Sequence, residues 1–229
     1  MKIVARSMRF LRGAVLSYGP HALKKRVWDK EYAGPKWGFA DHTAGDCVYP
    51  HLDKYAVNGN ILDLGCGSGN TATEMNGSYR SYTGVDISEE ALAKAASRSK
   101  SVGREKKNRF AQGDFLSFQP AEKYDVILFR ESLYHIPTAK ILMILDKYSK
   151  ALKEGGVFIV RMYTIENGLV KARPTKMLEI IADNFDVLEK STHGERGATV
   201  FVFRPKQTVV AGVAPKRNLT KQANSSVSA

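Results

Sequence analysis

Apolar and polar positions follow two different rhythms along this chain. From Asn60 onward, short apolar runs at 60–64, 81–86, 107–111, 124–129 and 157–163 read as buried strands. Between them, segments near 70–76, 88–100 and 138–151 have helical patterning. Strands alternating with helices predict a parallel sheet flanked by helices. Ser88-Glu89-Glu90 ahead of Ala91-Leu92, and Pro137-Thr138 ahead of Ile141-Leu142, provide helix starts. After the fifth strand the rhythm changes. A helix near 174–183 precedes the apolar stretch 185–188, the polar link Gly194-Glu195-Arg196-Gly197 and a second apolar stretch at 198–203. Two strands joined by a short glycine-containing link predict an antiparallel hairpin.

Upstream of Asn60 the pattern is helical, at about 2–16 and 20–32, with a further short helix within 45–56. Gly34-Pro35-Lys36-Trp37-Gly38 breaks it. The last residues are rich in Ser, Asn, Ala, Lys and Gln and are expected to be disordered. The reading therefore divides the chain into a helical extension (1–44), one α/β domain (45–204) and a basic tail (205–229).

Charge changes this picture less than its total suggests. The 229 residues carry a formal net charge of +12. Residues 1–36 hold nine Lys/Arg against two Asp/Glu, and residues 204–229 hold five against none. The remaining 21 bases and 21 acids in residues 37–203 cancel. A neutral body argues against a basic nucleic-acid groove in the fold. Val4, Met8, Leu11 and Val15 recur at helical spacing among Arg6, Arg9 and Arg12. Such a basic amphipathic helix suits docking on its own domain or on a sister subunit, as monomer or homodimer, and also suits peripheral contact with a membrane. No apolar run approaches the ~20 residues of a membrane-spanning helix. Two cysteines, Cys47 and Cys66, make no disulfide framework, so the expected compartment is the cytoplasm.

The chemistry concentrates in Ile61-Leu62-Asp63-Leu64-Gly65-Cys66-Gly67-Ser68-Gly69. A buried strand runs into a glycine turn, and a helix begins at Asn70. That combination lets backbone approach a nucleotide-type cofactor closely. The nicotinamide fingerprint G-x-G-x-x-G is not met, because Asn70 stands at the third glycine position. A Walker phosphate loop is also absent. Asp86 ends the second strand, where a carboxylate can accept from both hydroxyls of a ribose. Asp114 follows the third strand, placed to accept from an adenine amino group with Phe115 beside the ring. Cys66 reads as a small residue that fits the turn, with no partner to activate a thiol.

Together these landmarks resemble the class I S-adenosylmethionine-dependent methyltransferases. The Ile61–Gly69 run is similar to that family's first motif, and Gly84-Val85-Asp86-Ile87-Ser88 to its second. Gly113-Asp114-Phe115, Tyr124-Asp125-Val126-Ile127-Leu128-Phe129 and Leu152-Lys153-Glu154-Gly155-Gly156-Val157-Phe158 match the later landmarks in order. The resemblance implies a Rossmann-like, doubly wound, seven-stranded sheet, mostly parallel with an antiparallel C-terminal hairpin strand. It implies S-adenosylmethionine as cofactor and no metal. It assigns Gly65, Cys66, Gly67 and Gly69 to the cofactor turn and Asp63 to the turn and the cofactor amine. Asp86 falls to the ribose, Ile87, Asp114 and Phe115 to the adenine, and the backbone around Arg130 to the amino-acid end. The stretch from Trp28 to Tyr32 is similar to a lid of several small-molecule methyltransferases, with Trp37 beside it and a hinge at Gly34-Pro35.

Methyl transfer from a sulfonium is an in-line displacement, so the protein must align donor and acceptor and at times remove a proton. The residues for this belong at the carboxyl ends of strands four and five. His135 is the candidate base, because imidazole titrates near neutral pH, and a packing role is the alternative. Glu131 either orients His135, meets a cationic substrate or pairs with Arg130. Tyr134 is either packing or a substrate contact, Tyr163 is a candidate substrate contact, and Arg161 calls for an ionic partner, either an acidic group of the substrate or a structural ion pair. The expected reaction is methylation of an oxygen or nitrogen on a small molecule, with a sugar or glycan intermediate as one acceptor. Two alternatives stay open: a nucleic-acid methyltransferase steered by the basic ends, and a regulator that binds cofactor without turnover. Arg130-Glu131-Ser132-Leu133 departs from the Asn/Asp-Pro-Pro-aromatic sequence often found after strand four in amino-methylating nucleic-acid enzymes.

Overall fold

A computed structural model describes residues 12–34, 43–166 and 168–206. Residues 12–18 are helical, and α1 (His21–Ala33) and α2 (Tyr49–Tyr55) follow. The central unit is β1 (Asn60–Leu64), α3 (Asn70–Glu74), β2 (Ser81–Asp86), α4 (Glu89–Ser101), β3 (Asn108–Gln112), β4 (Tyr124–Arg130), α5 (Ile141–Ser149) and β5 (Leu152–Tyr163). A two-residue hairpin of β6 (Ile165–Glu166) and β7 (Leu169–Val170) leads to α6 (Ala172–Asn184), β8 (Phe185–His193) and β9 (Ala198–Pro205).

Seven strands form one sheet in the order β3-β2-β1-β4-β5-β9-β8. The first five are mutually parallel, and β9 runs antiparallel to both β5 and β8. This is the Rossmann-like sheet with an antiparallel C-terminal hairpin that the apolar pattern and the family resemblance lead one to expect. Side chains alternate between two cores. Leu62, Leu64, Ile127, Phe129, Phe158 and Val160 face α5 and α6. Ile61, Val126, Leu128 and Ile159 face α2 and α3. The helices meet the sheet for local reasons. Ile141, Ile144, Leu145 and Tyr148 make one buried stripe on α5. Ser88 caps α4 by accepting from the Ala91 N–H at 3.2 Å, with Glu89 and Glu90 in the first turn.

Two elements differ from the sequence reading. The pattern places the turn into the fifth strand at Gly155-Gly156, yet β5 already starts at Leu152. Pairing with β4 jumps from Tyr124↔Leu152 to Val126↔Val157, so the glycines form a bulge within the strand. Gly155 has φ +75°, which a glycine adopts without strain. The β6–β7 hairpin has no counterpart in the expected pattern, because two-residue strands carry too few positions to show a period. The expected break and hinge from Pro35 to Gly38, Trp37 included, lies outside the described residues, as do most of the first helical segment and residues 207–229 of the tail.

Between β1 and β4 the chain order reverses, β2 lying to one side of β1 and β4 to the other. A crevice opens at such a point, beyond the carboxyl ends of the strands.

Candidate functional site

A cavity of about 960 Å³ occupies this crevice, within the size range of small-ligand sites. Its floor is the turn after β1. Gly65 and Gly67 have φ of +84° and +54°. A Cβ on Gly65 would lie 2.5 Å from the Ser132 Cβ, and one on Gly67 would lie 2.6 Å from the Tyr32 hydroxyl. Side chains are therefore excluded here for both conformation and space. Gly69, at φ +79°, starts α3. Cys66 is buried, and burial pushes its thiol well above its usual range, so it is chemically inert.

Two buried carboxylates flank the turn. Asp86 accepts from the Gly67 N–H and the Ser88 N–H, each at 2.9 Å and each on a different oxygen. Both oxygens keep a lone pair for a further donor. Burial raises its pKa, and the backbone donors pull the other way. Asp63 is fully buried on the α2–α3 side of β1 and accepts from the Tyr82 hydroxyl at 2.6 Å through Oδ2. Its Oδ1 accepts no hydrogen bond among the described residues. Burial moves this carboxyl up to about 6, although the Tyr82 hydrogen bond, the charge of Arg130 and the nearby Thr71 hydroxyl all lower it.

Helix α1 covers the cavity with one face. Lys24, Trp28 and Tyr32 are four residues apart and all three line it. Lys24 Nζ reaches Asp114 Oδ2 at 3.0 Å, and the Leu116 N–H donates to Asp114 Oδ1 at 2.9 Å. The acid expected to meet adenine thus holds a lysine from the covering helix. Ile87 and Phe115 line the same end, and Phe115 packs edge-on to Phe129 with ring centroids 6.2 Å apart. The helix is tied down by Ser88 Oγ donating to Asp29 at 2.8 Å and by Lys94 Nζ donating to the Tyr32 carbonyl at 2.5 Å.

At the far end lies an ionic network that pairwise reading of the sequence does not show. Arg130 on β4 and Arg161 on β5 are register partners, so two guanidiniums stand side by side. Asp46, from the segment before α2, takes both. It lies 3.0 Å from Arg130 and, through Oδ2, 2.9 Å from Arg161. Burial would raise the Asp46 carboxyl, but the charges of Arg130 and Arg161 outweigh it and hold it below its usual value. The sequence offers Glu131 three roles: orienting His135, meeting a cationic substrate or pairing with Arg130. Its carboxylate binds Arg161 instead, at 2.5 Å, and its backbone stands at φ +52°. Strand register explains the difference: Arg161 faces the end of β4 from the neighbouring strand.

His135 lies in a short 3-10 turn after β4. Its ring packs edge-on to Trp28 at 5.1 Å between centroids and against Tyr134 at 4.6 Å. Burial, joined by the charges of Arg12 and Arg173, lowers its pKa to about 4. The imidazole is neutral at pH 7 but is a weak proton acceptor. Burial, with the charge of Glu131, raises the Tyr134 phenol and keeps it neutral. Tyr163 lies at the end of β5, with the Arg161 guanidinium 4.1 Å from its ring centroid. The structure therefore gathers every described candidate except Gly69 around one cavity; a Cβ on Gly69 would instead lie 2.7 Å from the Ala95 Cβ on α4. It adds Lys24 and Asp46, of which only Lys24 had a signal, its spacing from Trp28 and Tyr32. Among the described residues no cluster of His, Cys, Asp and Glu could hold a metal ion.

A family model described as a methyltransferase domain matches residues 56–205. A probable thiol methyltransferase 2 of Arabidopsis thaliana is 29% identical over 143 residues, 61% of this chain and 62% of that protein. Thiocyanate methyltransferase 1 of Brassica oleracea is 39% identical over 114 residues, 49% of this chain and 50% of that protein. The chain thus spans roughly half to three-fifths of these relatives' length. Among solved structures, the N-methyltransferase NodS from Bradyrhizobium japonicum WM9, in complex with S-adenosylhomocysteine, superposes with a TM-score of 0.63 at 19% identity. That match covers 80% of this chain and 98% of the other.

Proposed function

The chain belongs to the methyltransferase domain family, and from that premise we propose that it transfers the methyl group of S-adenosylmethionine to an oxygen or nitrogen of a small-molecule acceptor. One observation carries the cofactor assignment. Asp63 presents a buried carboxylate oxygen with no donor among the described residues, in the wall of the cavity. An ammonium such as the cofactor's amino group satisfies that atom. The turn at Gly65 and Gly67, where a Cβ has no room, fits the same group. Asp86 would take the ribose hydroxyls on its free lone pairs. Asp114 would take the adenine amino group in exchange for Lys24. When bound, the cofactor supplies an activated methyl on a positively charged sulfur.

The chain's own residues then have three tasks. Trp28 and Tyr32 exclude water from above. The Arg130–Asp46–Arg161–Glu131 network holds the wall at the ends of β4 and β5 rigid. His135 accepts a proton only from an acidic acceptor, since its conjugate acid is strong. The names of the curated relatives add thiol and thiocyanate acceptors to the panel worth testing, and glycan intermediates belong in it as well.

The test is calorimetric titration with S-adenosylhomocysteine, followed by transfer of labelled methyl from S-adenosylmethionine to that panel. Asp86→Asn should weaken binding by at least about tenfold, the worth of one charge-assisted hydrogen bond. Unchanged affinity removes Asp86 from the ribose site. Tight cofactor binding with no transfer to any acceptor favours a regulator instead.

A further inference from the structure

The end of the cavity beyond β5 has a charge pattern that the methyl-donor site does not use. Two guanidiniums share the Tyr163 ring: Arg161 at 4.1 Å and Arg196 at 4.2 Å from its centroid. They differ in one respect. Arg161 is neutralised by Asp46 and Glu131. Arg196, in the β8–β9 turn, makes no ion pair and no side-chain hydrogen bond among the described residues, and its five N–H donors are unspent.

Lys171 is brought to the same place by the backbone. The Lys171 N–H donates to the Thr164 carbonyl at 2.6 Å, and the Ile165 N–H donates to the Arg196 carbonyl at 3.1 Å. Lys171 and Arg196 therefore flank one short stretch just past β5, and both line the cavity. The carboxylate paired with Lys171 is Glu166, at 4.0 Å and largely exposed. Arg130 and Arg161 cancel Asp46 and Glu131. That leaves Lys171 and Arg196 against Glu166 and Glu195, with His193 beside them. Among the described lysines and arginines that line the cavity, Arg196 alone has no carboxylate partner, and a guanidinium fork matches two oxygens of one anion. This end also offers little to deprotonate a neutral acceptor, because Glu131 is held by Arg161 and His135 is a weak base.

We propose that this end of the cavity is an anion subsite, and that the methyl acceptor is a small acid whose carboxylate or phosphate oxygens are held by Arg196 and Lys171 over the Tyr163 ring. The proposal rests on the methyl-transfer reading above and narrows its acceptor.

Protein saturated with S-adenosylhomocysteine is titrated at fixed ionic strength with benzoate, phenyl phosphate and benzyl alcohol. At least one of the two anions should bind about tenfold more tightly than the alcohol, or better, as a single charge-assisted hydrogen bond requires. Whichever anion binds better identifies the acid class. Arg196→Gln should remove the preference while S-adenosylhomocysteine affinity, which reports an intact fold, stays as in wild type. Anions that bind no better than benzyl alcohol overturn the proposal. So does a preference that survives both Arg196→Gln and Lys171→Gln. Failure of wild type to bind S-adenosylhomocysteine overturns the methyl-transfer reading instead.

Discussion

Replacing Asp63 by asparagine should make the cofactor-free protein more stable at neutral pH while weakening its hold on the cofactor. Burial moves the Asp63 carboxyl from an ordinary 3.8 to about 6. Below about pH 3 the group is protonated in both folded and unfolded chains, and its burial carries no ionisation cost. As pH rises from 4 to 6 the unfolded chain releases this proton first, so the folded state loses stability relative to it. Above pH 6 the full difference is in force, about 3 kcal/mol. The amide introduced by Asp63→Asn cannot ionise and escapes that loss. It can still accept from Tyr82, and whatever its N–H groups cost is constant with pH. Urea unfolding of both proteins at pH values from 4 to 8 isolates the effect. The stability of Asp63→Asn minus that of wild type should climb by about 2 kcal/mol across the range. Parallel stability–pH curves would refute the reasoning. With S-adenosylhomocysteine present the order should reverse, because only the carboxylate pairs with an ammonium.

Two further outcomes follow from the same geometry. His135, lowered to about 4, does not titrate between pH 5.5 and 8, so kcat/KM should show no inflection near 6.5 that disappears in His135→Gln; such an inflection would restore it as a base of ordinary strength. Arg161→Met should destabilise the fold by about 3 kcal/mol in urea unfolding, because Glu131 loses its guanidinium while Asp46 keeps Arg130. A cost below about 1 kcal/mol, the worth of an exposed pair, would mean that the network does not hold the wall.

What was legible in the sequence is what is local in the chain. The strand into the glycine turn, Ser88 as a cap and the apolar stripe of α5 each depend on residues a few positions apart. Long-range partners were hidden for a physical reason. Arg130 and Arg161 become neighbours only when β4 and β5 pair in register, and Asp46 reaches them from a segment 84 residues before Arg130. Glu131 looks available to His135 because the two are close in sequence, but the neighbouring strand supplies a stronger partner. The character of His135 is likewise tertiary. Ordinary imidazole chemistry predicts a base, and burial against Trp28 makes it a poor one. The start of β5 is misplaced in the sequence reading because a glycine pair reads as a turn whether it ends a strand or bulges within one.

Helix α1 touches both ends of the cavity, with Lys24 on Asp114 at one end and Trp28 against His135 at the other. A rigid helix cannot lift from one end without disturbing the other. If the chain transfers a methyl group as proposed, spent donor is not exchanged behind a retained acceptor, and the two compartments fill and empty together. On that reading the dwell time of this one helix, rather than the displacement itself, would be the natural clock of turnover.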